Sequence, residues 1–201
     1  MKTRIVGLAM VFCFGSVLHA KSLEETIAFC DECHGKGGVS KESDVPAIAG
    51  FSSVAITDIL NAYKNDSRSA VSSKFRAGDT SRPETNMKDI SKKLTAEEIK
   101  KLASHYSAKS FVPAKQPFDA VKAASGAKIH KTQCFKCHEN GGSSKDDDVG
   151  ILAGQWSPYL RTAIQNFRSG KRQTDPKMFD LIKKLSDSEI DALVHYWASQ
   201  Q

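Results

Sequence analysis

Apolar residues recur along this chain with helical spacing. Ile56, Ile59, Leu60 and Tyr63 fall at i, i+3, i+4 and i+7, and Leu160, Ala163, Ile164 and Phe167 repeat the pattern. A second pair of stripes runs through Ile99, Leu102, Ala103 and Tyr106, and through Ile190, Leu193, Val194 and Trp197. A capping box precedes each of these, Thr95-x-x-Glu98 and Ser186-x-x-Glu189, in which a hydroxyl and a carboxylate satisfy amides left free at a helix start. Ser157-Pro158 reads as another start, an N-cap hydroxyl followed by proline at the first helical position. Shorter helices are expected at 22–33 and at about 118–134. No stretch alternates with period two, so the predicted fold class is all-α.

The stripes come in pairs because the chain is a duplication. Cys30 and Cys134 set an offset of 104 that also aligns DVPAIAG at 44–50 with DVGILAG at 148–154, and Arg68 with Arg172. An offset of 91 aligns Met87 with Met178 and KKLTAEEI at 92–99 with KKLSDSEI at 183–190. The difference between the offsets, 13 residues, is an insertion in the first copy within SAVSSKFRAGDTSRPETN. SFVPAKQP at 110–117, with two prolines, reads as the linker between a first domain at 21–109 and a second at 118–201.

The amino-terminal segment reads as a signal for export, residues 1–20. MKTR is basic, IVGLAMVFCFGSVL is apolar, and LHA ends in a small residue suited to cleavage after Ala20. Its removal leaves no membrane span and places the mature chain in the periplasm. It also lowers the net charge from +6 to +4 as Lys2 and Arg4 leave, a bias too small and scattered for nucleic acid. Cys13, Met1 and Met10 leave as well. Four cysteines remain, all in two copies of Cys-x-x-Cys-His, CDECH at 30–34 and CFKCH at 134–138. Two methionines remain, Met87 and Met178.

Four chemistries compete for such a motif. A disulfide gives the histidine no role. A zinc site drawing two thiolates from each motif makes both histidines surplus. A redox dithiol expects a βαβ setting, and none is predicted. Covalent haem uses every residue: Cys30 and Cys33, or Cys134 and Cys137, add across the two vinyl groups, and His34 or His138 lies beneath the iron. Two covalently bound haem c groups need two distal ligands. Met87 and Met178, aligned in the loop before each copy's last helix, supply them. His105, His130 and His195 do not align with one another and read as surface or packing positions, with His130 placed to pack on the terminal helix of its own domain. His/Met ligation raises the haem potential and leaves no open site for oxygen or peroxide. The expectation is an electron carrier, not an enzyme, and not a dihaem peroxidase.

On these motifs the chain resembles the dihaem cytochrome c4 family, two class I cytochrome c domains in tandem. The resemblance implies two haem domains packed face to face about a pseudo-twofold axis. It also implies that a proline carbonyl, twelve residues past each haem histidine, orients the imidazole. Pro46 stands there after His34, but Gly150 stands there after His138, leaving that contact to a glycine carbonyl in a looser loop. PAKQPFD at 113–119, GAKIHKTQCFKCH at 126–138 and ILAGQWSPYL at 151–160 are similar to the cytochrome subunit of flavocytochrome c sulfide dehydrogenase. That similarity implies redox protein partners, among them a flavoprotein sulfide dehydrogenase subunit. The alternative expectation is a free shuttle between a quinol-oxidising complex and a terminal oxidase or reductase.

Overall fold

In the computed structural model, which describes residues 22–201, eight α-helices follow one another with no β-strand among the described residues. The predicted signal segment, 1–20, lies outside them. The first copy holds α1 (Leu23–His34), α2 (Ser53–Lys64), α3 (Met87–Lys93) and α4 (Ala96–Ser107). The second holds α5 (Ala120–Ile129), α6 (Ser157–Arg168), α7 (Pro176–Lys184) and α8 (Asp187–Ala198). No helix among the described residues is long and apolar enough to cross a membrane.

The local rules set most of these starts. Both expected capping boxes form, at Thr95/Glu98 and Ser186/Glu189, and a third, Ser22/Glu25, opens α1. The start of α6 differs from expectation. Trp156 is its N-cap, Ser157 is already helical, and the Ser157 hydroxyl is buried without a partner. Tertiary bonds fix this start instead: the Trp156 indole donates to the Ser40 carbonyl at 3.1 Å, and the Ser157 amide donates to Gln116 Oε1 at 2.9 Å. The segments carrying Met87 and Met178, expected as loops, are short helices. Asn86 caps α3 through the Asp89 amide, and Asp175 with Pro176 opens α7.

The copies share helices but differ in how their first helix meets their last. In the second copy α5 crosses α8 at Gly126, where an added Cβ would collide with the Ala192 carbonyl. The helix then widens into one π turn, His130–Cys134. The residue aligned with Gly126 in the first copy is Ser22, the cap of α1, so α1 begins where α5 is already crossing. There Tyr106 of α4 ties the pair together by donating its hydroxyl to Asp31 Oδ1 at 2.9 Å.

Two apolar clusters form. Phe51, Leu60, Leu102 and Tyr106 centre the first, and Leu160, Leu193, Val194 and Trp197 the second. Ile151, from the second copy, is buried in the first cluster. The joint between copies pairs aligned residues reciprocally. Ser69 donates its amide to the Lys171 carbonyl at 2.9 Å and Gln173 donates to Ser67 at 3.0 Å, with Arg68 opposite Arg172 between them. That pairing is the local signature of a twofold relation.

Beside it lies a polar clamp. Gln155, fully buried, accepts from the Ala47 amide at 3.1 Å and donates to the Ala47 carbonyl at 2.6 Å. Replacing Gln155 with Ala leaves both backbone groups unpaired in a buried joint. The expected loss is about 2 kcal/mol of unfolding free energy, the cost of an unpaired buried polar group. Urea denaturation of the holoprotein measures it, and an unchanged midpoint would show that the clamp carries no stability.

Candidate functional site

Cys30 and Cys33 stand one turn apart on α1, and His34 is the last residue of that helix. The His34 ring is buried, with Nδ1 2.9 Å from the Pro46 carbonyl oxygen. A carbonyl only accepts, so Nδ1 carries the proton and Nε2 keeps its lone pair. Burial, outweighing that bond, lowers the imidazole below its usual range and keeps it neutral at pH 7. A cavity of about 280 Å³ opens beside it, lined by Cys30, Cys33 and His34 from α1, Ile56 and Leu60 from α2, and Met87 from α3. The structure therefore brings all four residues expected at the first site onto one wall system.

The second site is built less tightly. Cys134 ends the π turn and packs with Met178 against the second core, while Cys137 is exposed. The Met178 sulfur accepts from the Thr174 hydroxyl at 3.0 Å. Burial pushes the His138 imidazole down to about 4, so it too is neutral. Its Nδ1 is buried with no hydrogen-bond partner. The contact expected from the Gly150 carbonyl is not made. Proline fixes the loop at Pro46 and glycine does not at Gly150. His130 packs as expected on the terminal helix. It is buried, and its Nδ1 accepts from the Trp197 indole at 3.3 Å. His195 accepts from the Asp119 amide at 3.1 Å, supporting the start of α5.

The surroundings of the thiols bear on which group fits. The four cysteines among the described residues are free, and burial pushes Cys30 and Cys134 up to about 11. A reactive dithiol needs thiolate, which these pockets disfavour. Among the described residues no three histidine, cysteine or acidic side chains converge. A flat apolar group with carboxylate arms fits better. The cavity wall is apolar around Phe51, Ile56 and Leu60, while Arg68 and Arg172 reach the same cavity.

Those arginines are the functional residues that sequence reasoning passed over, marking them only as aligned. Arg68 is buried, with its Nη2 donating to the Tyr159 hydroxyl at 3.3 Å and its Nη1 unpartnered. Burial, then the neighbouring Arg68, lowers Arg172 to about 10. Burial alone would raise the Tyr159 hydroxyl, but Arg68 and Arg172 outweigh it and lower it. A joint this cationic suits the carboxylates of a bound group.

Comparison with known proteins gives the same class. The family model described as cytochrome C oxidase, cbb3-type, subunit III matches residues 121–196. A thiosulfate dehydrogenase electron acceptor from Thiomonas intermedia is 26% identical over 186 residues, covering 86% of this chain and 79% of that protein. One from Stutzerimonas stutzeri is 28% identical over 181 residues, covering 85% and 78%. The crystal structure of reduced recombinant cytochrome c4 from Pseudomonas stutzeri superposes with a TM-score of 0.69 at 22% identity, covering 90% of this chain and 100% of that one. The all-α fold is thus that of two tandem class I cytochrome c domains. With two covalently bound haem c groups, the chain is an electron-transfer cytochrome, similar in fold to cytochrome c4.

Proposed function

We propose that the chain is exported to the periplasm and accepts electrons from a dehydrogenase that oxidises a reduced sulfur compound. The observation that carries this reading is the likeness, along most of both chains, to two proteins named as thiosulfate dehydrogenase electron acceptors. The export signal at 1–20 agrees with it.

In this reading Cys30 and Cys33, and Cys134 and Cys137, provide the thioether links. His34 and His138 would hold the iron through an imidazole nitrogen, and Met87 and Met178 through a thioether sulfur. Haem c supplies a one-electron iron centre. The chain supplies everything that tunes it. Pro46 fixes the His34 ring by its Nδ1 proton, the apolar wall excludes water, and the arginine joint holds anionic arms at the seam between copies. His138 lacks the carbonyl partner that His34 has, so the two copies present differently held imidazoles. The sulfur chemistry belongs to the donor.

A second reading makes the chain the cytochrome subunit of a flavoprotein sulfide dehydrogenase. The second copy favours it: the resemblance rests on 113–119, 126–138 and 151–160, and His130 and Gly150 in place of proline fit it.

Replacing Met87 or Met178 with alanine is expected to abolish the weak methionine–iron absorption at one haem and leave the other intact. An unchanged spectrum refutes the ligand assignment. Replacing Cys134 and Cys137 with serine is expected to leave one covalent haem per chain by mass spectrometry, and two would contradict the attachment sites. Gentle purification from the native periplasm separates the donors. Reduction by thiosulfate through a co-purifying dehydrogenase supports the first reading, and reduction by sulfide through a co-purifying flavoprotein supports the second. A lone cytochrome inert to both overturns the sulfur-linked reading.

A further inference from the structure

The 13-residue insertion does more than lengthen a loop. Residues 69–86 stand where the second copy has only 173–177. Ser73 and Thr85 exchange amide-to-carbonyl bonds at 2.8 and 3.0 Å, closing the segment into a hairpin-like strap. The strap lies on Glu32, one of the two residues between the first pair of cysteines. The amides of Arg76 and Ala77 both donate to the Glu32 carbonyl at 3.0 Å, and Arg82 pairs with the Glu32 carboxylate. Arg82 also lies over the Phe75 ring at 3.8 Å. Phe75 is buried and meets Phe29 of α1 edge-on at 5.6 Å. Gly78, at φ +66°, has no room for a side chain against the Glu32 carboxylate. The Cys33 sulfur is 3.9 Å from the Lys74 carbonyl. The strap thus closes over the Cys33 side of the first site.

The second copy has neither the strap nor the acid that anchors it. The aligned residues of Asp31 and Glu32 are Phe135 and Lys136. Phe135 is 52% exposed, and Lys131 and Lys136 are exposed beside it, with Glu139 and Asp147, whose carboxylate accepts from the Glu139 amide at 2.7 Å, as the nearby acids. Asp31 and Glu32 are consumed by internal bonds in the first copy, to the Gly37 amide, to Tyr106 and to the strap. Phe135 and Lys136 make no such bonds and face solvent. An exposed aromatic flanked by exposed lysines is the make-up of a contact patch that steers a partner of opposite charge.

We propose that the second copy is the port for electron exchange with a protein partner. Phe135 is the apolar centre of the contact, and Lys131 and Lys136 meet carboxylates that ring the partner's own cofactor edge. The strap denies the same approach to the first copy. Each encounter moves one electron from partner to chain, with no bond made or broken and no proton transferred. The inference rests on the reading of the chain as a two-haem carrier and is independent of which donor serves it.

The test uses reduced plant-type ferredoxin, an acidic one-electron protein, as the probe on the intact two-haem chain. Titration into isotope-labelled reduced cytochrome should broaden the amide signals of 131–137 and spare those of 70–84. In stopped-flow at low ionic strength, Phe135→Glu with Lys136→Glu should lower the bimolecular electron-transfer rate by about tenfold or more and flatten its salt dependence. Lys74→Glu, the matched reversal on the strap, should change it less than about twofold. Broadening centred on the strap, or an unchanged rate in the double variant, overturns the proposal. The footprint needs no variant and so decides even where the double variant misfolds. Ferredoxin need not be the native donor, so failure of the sulfur-linked reading leaves this outcome intact.

Discussion

Two guanidinium groups set side by side, Arg68 buried and Arg172 half-buried, constrain everything around them. Arg68 and Arg172 face one another where the copies join, and among the described residues neither forms an ion pair with a carboxylate. Burying like charges together is costly unless partners offset it. Each lies over an aromatic ring of its own copy, Arg68 on Tyr63 at 4.4 Å and Arg172 on Phe167 at 4.2 Å, and the Tyr159 hydroxyl shares their field. What remains positive lines the cavity that holds Cys30, His34 and Met87. Haem carries two carboxylates, so the joint that holds the copies together is also electrostatically matched to the group they bind.

Around that point the frame is symmetric and the finish is not. Four helices repeat in order, and residues 67–69 pair with 171–173 as a twofold demands. The differences all concern how firmly each site is enclosed. His34 has a proline carbonyl and His138 has none. The first motif ends a regular α-helix, whereas the second emerges from a π turn that follows the close crossing at Gly126. One copy is sealed by its strap and the other shows Phe135 to solvent. A pair built this way offers two unequal environments for the same chemistry, a basis for unequal potentials.

Short-range rules made much of this legible. The 3.6-residue stripes, the capping boxes and the repeated Cys-x-x-Cys-His need only neighbours in sequence, and the stripes and boxes appear as helices where expected. Long-range choices were not legible. The start of α6 follows Trp156 and Gln116 reaching across the chain, not the Ser157 hydroxyl. The arginine pair showed in the alignment, but burial and proximity carry its meaning, and neither has a sequence signal. The insertion was plain as a length difference. Its docking on Glu32 depends on the backbone carbonyl of that residue, which sequence does not display.

Ile151 lies in the second copy by sequence and in the first by burial. Together with Gln155, which holds Ala47 one residue beyond the carbonyl on His34, it makes the second half lend material to the first. Duplication usually suggests interchangeable modules, parts that would survive separation. Here the seam has been rewoven. Severed at the linker, the first half would keep its motif and its helices yet show Phe51 and its neighbours to water, and the loop that aims its histidine would lose its brace. The repeat records one ancestral domain copied, but the molecule has become one indivisible body.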